Sequence, residues 1–454
     1  MKNKVRFVKL IIANIYNVLL GMNDRYKKII LSGFSTAIVK LITVGLNLIT
    51  VPLTLSYLGN LRYGIWLSIS SVLTLLSFAD LGLGNGLLNA VTKADANKDL
   101  VQLKKAISSA FFLLMAIALF LVALFILIHN IVDWEVVFNV KSGISTSELN
   151  NTIAVIILMI IFNIPLGIVQ RIHEGFQEGF KFQFWLLLGS IISFLLLIVS
   201  IHYRLGLPFL VLAFSSGPLI ATIFNAYYLF FVKQKHLRPR LKYFELSFGA
   251  KLIKSGLAFL VLGIFTLIGN SSDDIVIAHV LGNAEIAHYE IVKKMYLISM
   301  MTQFLIQPMW PAFGDAIEKG DYIWASKTLW NGLKLSILFG GLISLPIVFF
   351  GGNIINYWLS INFQPSIGLT LGFFVFVFIA NYGGVMSAFF NSGPFMKKQV
   401  TMIGLASISA LLFKIILSSK FGISGIIWGT VLGYGIFYII PSFKLAIKFF
   451  NKSI

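Results

Sequence analysis

The sequence predicts an all-α polytopic membrane protein with about twelve transmembrane helices in two six-helix bundles. Three observations indicate this fold: a very apolar composition, a succession of apolar stretches of membrane-spanning length, and weak similarity between the two halves of the chain. Of the 454 residues, 58% are hydrophobic and only 12% are charged, and the mean hydropathy is +0.89. Soluble domains are roughly half apolar and one quarter charged, so this composition excludes an ordinary soluble protein.

Twelve apolar stretches have about the length that crosses the hydrocarbon core of a bilayer. A helix needs about 20 residues to span roughly 30 Å. The predicted spans are residues 29–54, 64–91, 106–128, 152–170, 184–203, 207–232, 249–272, 286–309, 328–350, 366–390, 400–417 and 425–449. The longest connections, about 129–151 and 233–248, are too short to hold a domain. The function is therefore expected to lie between the helices.

The segment before the first span is predicted to be an amphipathic helix on the inner membrane surface. Residues 10–22 follow a start rich in Lys and Arg and could pass for the core of a signal peptide. They are short, contain Asn14 and Asn17, and lack a small-residue cleavage site, which favours the surface helix. The predicted units are a cytoplasmic lead-in at 1–28, a first bundle at 29–235 and a second bundle at 236–454, with the central inner loop at 233–248.

The net charge of +19 mainly reflects orientation in the membrane. With the N-terminus inside, 28 of the 36 Lys and Arg residues fall in cytoplasmic segments, four fall outside and four lie within spans. This asymmetry follows the positive-inside rule, so both termini are predicted to be cytoplasmic, with 129–151 and 351–365 outside. The basic run at 233–242 is expected to attract anionic lipid rather than nucleic acid. The chain has no cysteine, which excludes a disulfide or a thiolate metal site.

The two halves of the chain resemble each other weakly. The sequence YLGNLRYGIW at 57–66 matches VLGNAEIAHY at 280–289, and later matches place Asn163 on Asn381 and Gly206 on Gly422. The second copy begins six spans after the first. Because six is an even number, both halves enter the membrane from the same side. Parallel repeats of this kind can rock against each other around a central cavity, which is the basis of alternating access.

Several spans carry polar residues on one face. Polar residues three or four positions apart lie on the same side of a helix. The first span has Thr36, Lys40, Thr43, Asn47, Thr50 and Thr54, the second has Ser70, Thr74, Ser77, Asp80 and Gly84, and the eighth has Glu290, Lys293, Met300, Gln303 and Gln307. Such a face either lines a wet cavity or consists of Ser and Thr side chains that bond their own backbone and join helices.

Charged residues within spans are stronger candidates for function than Ser or Thr. An ionised side chain at the bilayer centre costs roughly 2.5–3.5 kcal/mol. Lys40 lies about eleven residues into its span, close to the midplane at 1.5 Å per residue. Lys414 lies nearer the outer end of its span and is expected to reach the surface by snorkelling.

The remaining charges of the second half have two interpretations each. Glu290 and Lys294 are four residues apart, so they either neutralise each other or contact substrate. Asp273 and Asp274 are expected at the outer mouth of the seventh span, in a solvated loop or in a cation site.

Signatures of an enzyme are missing from the sequence. The six histidines are scattered, and there is no nucleophile elbow and no nucleotide-binding loop. We therefore expect neither catalysis nor a cofactor. The energy for transport would come from an ion gradient, the membrane potential or the substrate gradient.

Two segments resemble a known family. They are TVPLTLSYLGNLRYGIWLSI at 50–69 and FADLGLGNGLLNAVTKADANKD at 78–99. These residues resemble the polysaccharide-transport family of lipid-linked, O-antigen-type oligosaccharide flippases, within the superfamily of multidrug, oligosaccharidyl-lipid and polysaccharide exporters. The resemblance implies a V-shaped cavity and movement of a polyprenyl-diphosphate-linked glycan from the inner to the outer leaflet of a bacterial or archaeal cytoplasmic membrane. A monomer whose partners are this glycan and the membrane lipids is expected.

The anionic diphosphate implied by the resemblance requires cations inside the cavity. Lys40 is predicted to hold it transiently, helped by Lys293 or Lys294 from the facing bundle, and Asn47 and Gln303 are further candidate contacts. If protons or sodium drive the cycle, one acidic residue of the second bundle is expected to bind the ion, and the candidates are Asp273, Asp274 and Glu290. The alternative is uniport down a substrate gradient.

Asp80 with Gly82, Gly84 and Gly86 is predicted to form an inner gate. Asp80 lies about fifteen residues into an inward-running span, near its cytoplasmic end, and small residues allow another helix to approach closely. The hypothesis is that this surface contacts the opposite bundle when the cavity opens outward. The alternative is a packing motif with a snorkelling Asp.

Two other classes of function remain open. A multidrug or cation antiporter of the same superfamily would need an acidic, aromatic pocket, whereas lysines outnumber Glu290 within the spans. A glycan polymerase or acyltransferase would need a sizeable outer loop with catalytic residues, and the chain lacks such a loop.

Overall fold

Helices joined by short turns make up almost all of the described structure. The computed structural model describes residues 24–73, 80–129, 131–137, 144–281, 284–297, 299, 302–359, 364–393 and 395–453, and these contain no β-strand. The main helices are α1 (Asp24–Leu73), α2 (Leu83–Ala96), α3 (Leu100–His129), α4 (Thr146–Gly175), α5 (Gly179–His202), α6 (Leu207–Tyr227), α7 (Leu246–Val280), α8 (Ala284–Leu297), α9 (Met309–Glu318), α10 (Tyr322–Leu359), α11 (Ile367–Ser392), α12 (Met396–Phe421), α13 (Ile423–Tyr434) and α14 (Ile440–Ser453). The predicted surface helix at 10–22 lies outside the described residues.

Within the described ranges, nine helical segments are long and apolar enough to cross a membrane. They correspond to predicted spans three to seven and nine to twelve. The other three spans are interrupted: the first two share the bent helix α1, the second also includes α2, and the eighth contains α8 and a short helix, Gln303–Ile306, before α9. The all-α polytopic fold with about twelve spans is therefore confirmed.

Two breaks in the first half occur at glycine. Gly59 has φ 73° and ψ 166°, outside the helical region, so α1 consists of two helices that meet between the predicted spans. Gly82 has φ 73° and begins α2, where glycine meets no penalty for positive φ. The Asp80 carboxylate accepts hydrogen bonds from the backbone N–H of Gly82 at 2.9 Å and of Gly84 at 3.3 Å. Asp80 therefore caps the first turn of α2, whose N–H groups have no helical acceptor.

Each half of the chain has its own buried core. In the first half (α1–α6), one cluster surrounds Leu87 and Ile107 and another surrounds Ile153 and Leu210. The second half (α7–α14) has two further clusters, one around the aromatic side chains of α9 and α11 and one around Tyr289. Separate cores allow the halves to move as units.

The halves meet mainly toward one end, which we call the basic end. It carries residues 24–28, 93–105, 171–181, 233–254 and 315–334, which side-chain contacts join to one another. Helix α2 packs against both α7 and α9, and α3 packs against α7. Leu252 of α7 belongs to a first-half cluster, and Tyr26 of α1 packs against a second-half cluster. The interface between halves therefore lies where α2 is inserted.

Candidate substrate cavity and the contacts that close it

Lys40 lies exposed on the polar face of α1. At about 100° per residue, the exposed side chain of Ile49 lies about 180° from Lys40 around the helix, and the exposed side chains of Phe34 and Leu41 lie about 120° and 100° from it. Lys40 makes no ion pair with any residue that the structure describes. A lysine within a membrane span is costly unless it meets water or an anion or its side chain reaches the membrane surface.

The threonines of the α1 stripe do not share this exposure. Thr36, Thr50 and Thr54 are buried, and their hydroxyls donate to carbonyls one turn back at 2.7–2.8 Å. Thr43 and Thr50 line a crevice against α5 and α6. The threonines therefore match the second interpretation, in which hydroxyls bond the backbone of their own helix and the helices pack together. The face of α1 that is open to water is narrower than the sequence predicts. The side chain of Asn47 lies outside the described part of the structure.

A narrow cleft lies between the halves, close to the basic end. Its lining residues come from α1, α2, α4 and α5 on one side and from the start of α9 and the two residues before it on the other: Lys28, Ser32, Thr36, Leu88, Arg171, Glu174, Gln177, Gly179, Gln183, Gln307, Pro308, Trp310 and Pro311. Thr36 is one turn before Lys40, so the cleft adjoins the face that carries Lys40.

Arg171 and Lys28 are cavity cations that the sequence interpretation missed. The predicted fourth span ended at residue 170, so Arg171 was counted with the cytoplasmic charges, whereas α4 continues to Gly175. Arg171 Nη1 lies 3.0 Å from Glu174 Oε2, and Gln170 donates to Glu174 Oε1 at 2.8 Å. Glu174 therefore fixes the guanidinium at the wall of the cleft.

The predicted cations of α8 have different environments. Lys293 is 28% exposed and lies 2.7 Å from Glu290 Oε1 and 3.7 Å from Asp273 Oδ2. Lys294 is exposed and makes no ion pair within the described ranges. Of the two interpretations of Glu290 and Lys294, mutual neutralisation is not what the structure has, because Glu290 pairs with Lys293. No described contact joins Lys40 to either α8 lysine.

Gln303, between α8 and α9, connects helices. Its amide donates to the carbonyl of Ala380 at 3.0 Å. A Cβ atom at Gly384 of α11 would collide with the Gln303 side chain. Glycine at that position therefore allows Gln303 to reach α11.

The predicted snorkelling of Lys414 is wrong. Its side chain is fully buried, and Nζ lies 2.6 Å from Asp273 Oδ1. Asp273 belongs to α7 and is itself buried, so the solvated-loop interpretation of this residue is also wrong. Tertiary packing places Lys414 against α7, whereas hydropathy along one helix cannot show which way a side chain points. Asp274, the next residue, is partly exposed.

Two of the three gate glycines contact the opposite half. A Cβ atom at Gly82 would collide with the carbonyl of Gly256, and one at Gly86 would lie 2.8 Å from the carbonyl oxygen of Leu252. Gly84 faces its own half instead, where a Cβ atom would lie 3.1 Å from both Arg171 Nε and Asp80 Oδ2. Asp80 contacts α2 rather than the opposite half, so it supports this surface without forming part of it.

Polar side chains extend the contact between halves. Arg25 of α1 lies 2.7 Å from Asp315 and 2.5 Å from Asp321. Asn89 of α2 donates to the carbonyl of Asn391 at 2.8 Å and accepts from the indole of Trp310 at 2.9 Å. Further along the same face, Lys93 and Asn97 both contact Glu318. Together with the glycine contacts, these interactions close the cleft at the basic end.

The fold is that of the MATE proteins. The structure matches a MATE protein in the straight conformation with a TM-score of 0.78 and 15% identity, over 96% of this chain and 98% of that one. It also matches an outward-facing multidrug resistance MATE family transporter of the MOP superfamily, with a TM-score of 0.77, 16% identity and the same coverage. A MOP superfamily transporter from Pyrococcus furiosus, described as having a binding pocket of reverse polarity, matches with a TM-score of 0.76 and 14% identity, again over 96% and 98%.

The sequence assigns the chain to a family within this fold. The family model described as polysaccharide biosynthesis protein matches residues 30–316, and the chain belongs to that family. A provisionally named O-antigen transporter of Salmonella typhimurium is 21% identical over 406 residues, covering 87% of this chain and 91% of its own length. One from Salmonella typhi is 22% identical over 425 residues, covering 89% and 93%.

Proposed function

We propose that the protein is a flippase that moves a polyprenyl-diphosphate-linked oligosaccharide from the inner to the outer leaflet by alternating access. Its family and the names of its Salmonella relatives support a transporter of lipid-linked polysaccharide without catalytic activity. The glycan would be a repeat unit of O-antigen, capsule or exopolysaccharide.

The observation that carries the proposal is a set of cations on the first half, of which two line the cleft and a third, Lys40, is exposed further along α1. Lys28 and Arg171 line the cleft, and Lys40 follows Lys28 by twelve residues of α1, or about 18 Å along the helix. A diphosphate crossing a region of low dielectric constant needs such positive groups, while the polyprenyl tail can remain in the bilayer. A single lysine ammonium is suited to release as well as binding.

The closed end of the cleft indicates which state the structure represents. With both termini in the cytoplasm, the basic end faces inward, and the contacts of α2 with α7 and α9 would form the inner gate. The cavity would then be open toward the outer leaflet. In the inward-open state these contacts would separate, while the basic connections would remain at the anionic lipid surface.

A coupling ion, if one is used, would bind at Asp274. Asp273 and Glu290 are already paired with lysines, whereas Asp274 makes no ion pair with the residues described, and its Oδ1 is buried without a hydrogen-bond partner. The runner-up function, cation antiport, is less well supported because the carboxylate in the cleft, Glu174, is paired with Arg171.

Reconstitution tests the proposal. Full-length protein in vesicles would be given a polyprenyl-diphosphate oligosaccharide with a fluorescent glycan, and an impermeant lectin would report glycan that reaches the opposite leaflet. We expect protein-dependent translocation that fails when the diphosphate is replaced by a neutral link. Vesicles that move a cationic dye but not the glycan would instead identify an antiporter.

A further inference from the structure

A buried lysine occupies an oxygen-lined position in the second half. Lys414 Nζ lies 2.6 Å from Asp273 Oδ1, 2.6 Å from the carbonyl oxygen of Gly269 and 3.1 Å from the hydroxyl of Ser272. All three oxygens belong to a single stretch of α7. Carboxylate, carbonyl and hydroxyl oxygens are also the ligands that hard metal cations take in proteins.

The surrounding packing fixes the ammonium at this position. Helix α13 approaches α12 through glycines spaced four apart, and a Cβ atom at Gly429 would lie 2.5 Å from the backbone nitrogen of Lys414. The hydroxyl of Tyr434, which bonds Ser407 at 2.9 Å, closes the space beside Gly269. The lysine therefore has no room to turn toward solvent.

The charged groups around the ammonium form two ion pairs. Asp273 Oδ2 accepts a hydrogen bond from Tyr289 at 2.8 Å and lies 3.7 Å from Lys293, which is paired with Glu290. Asp273 thus offsets Lys414 and Glu290 offsets Lys293, and Asp274 lies beside these two pairs. Removing one member leaves a buried charge without compensation, which is strongly destabilising.

We infer that the Lys414 ammonium is the resident cation of the second half: it fills a monovalent-cation position at Asp273, which is closed to external ions in the native protein and opens to Na⁺ when the ammonium is removed. The inference does not depend on the proposed flippase activity. It implies that any coupling ion binds elsewhere.

Thermal unfolding of the purified full-length protein in NaCl and in choline chloride of equal ionic strength tests the inference. All variants carry Asp274→Asn, which removes the proposed ion site there, and in this background native Lys414 should give the same Tm in both salts. Lys414→Ala should be destabilised in choline, and NaCl should restore its Tm by several degrees in a saturable manner, because Na⁺ binds only the folded state.

Two control variants separate Na⁺ binding from other effects. Lys414→Met removes the charge but keeps the stem in the space, so NaCl should not restore its Tm. In the double variant Lys414→Ala with Asp273→Asn, the carboxylate is absent and the two salts should give the same Tm.

Three results would overturn the inference. The first is saturable stabilisation of the Asp274→Asn background by NaCl over choline while Lys414 is in place. The second is a Lys414→Ala variant whose Tm is the same in the two salts. The third is a Lys414→Ala variant that fails to fold even in NaCl, because the inference requires Na⁺ to replace the missing charge.

Discussion

Gly82 of α2 and Gly256 of α7 meet backbone to backbone, although 173 intervening residues place them in different halves of the chain. A Cβ atom at Gly256 would lie 2.7 Å from the carbonyl carbon of Gly82. Contacts this close fix the distance between two helices and are lost completely when the helices separate. The pair is therefore a contact that the proposed inner gate would have to break in order to open.

The first prediction concerns this contact. Gly256→Ala should disfavour the closed state by about 1–3 kcal/mol, the usual cost of overpacking, and should reduce transport. Gly256 is the better position to change, because Gly82 has positive φ and substitution there would add backbone strain. Gly167→Ala is the matched control, since no atom lies within 4 Å of its added Cβ. If Gly256→Ala and Gly167→Ala transport at the same rate, the contact between Gly82 and Gly256 does not act as a gate.

The Arg25 ion pairs should contribute to closure at the basic end. The chain has no cysteine, so Gln183→Cys in the cleft gives an unambiguous reporter. Arg25→Gln should increase its labelling rate by an impermeant maleimide applied at the basic end, because charged hydrogen bonds worth about 1.5–3 kcal/mol each are lost. Lys27→Gln removes a neighbouring charge and should leave the rate unchanged. If Arg25→Gln and Lys27→Gln give the same labelling rate, the Arg25 ion pairs have no role in closure.

Lys40→Gln should lower the rate of glycan translocation about tenfold or more, since a charge-assisted contact is lost. Lys40→Arg should retain part of the rate. Expression and Tm should change little, because Lys40 is exposed. Lys397→Gln makes the same substitution at an exposed lysine of α12, away from the cleft, and should transport normally. Wild-type transport by Lys40→Gln, or loss through unfolding alone, would show that Lys40 does not bind substrate.

Orientation is tested by cysteine labelling in intact cells. Ser142→Cys should react with an impermeant reagent applied outside, and Ser453→Cys should react only after the membrane is opened. The charge asymmetry of the loops is the physical reason. The reverse pattern would invert the proposed topology and place the closed end outside.

Asp274→Asn should abolish any dependence of transport on an imposed proton or sodium gradient while leaving transport down the substrate gradient intact. The reason is that Asp274 has no ion-pair partner in the described structure to hold its charge. Wild-type transport that is indifferent to both gradients would remove an ion-binding role from Asp273, Asp274 and Glu290 together.

The sequence by itself determined the membrane fold, because hydrocarbon imposes a simple rule on every span: enough consecutive apolar residues and internal backbone hydrogen bonds. The positions of the helices follow from that rule, and the glycines at 82 and 86 could be selected because small residues permit close helix approach. Lys40 could be selected because a charge in a span has to be accounted for.

Only the tertiary structure decided which partner each of these side chains has. Lys414 and Lys40 look alike in sequence, each a lone lysine in an apolar helix, yet one is buried against Asp273 and the other is exposed. Arg171 became a cavity residue because α4 extends beyond its apolar stretch. The physical reason is that burial and pairing depend on the neighbouring helix, whose position is set by contacts between residues far apart in the chain.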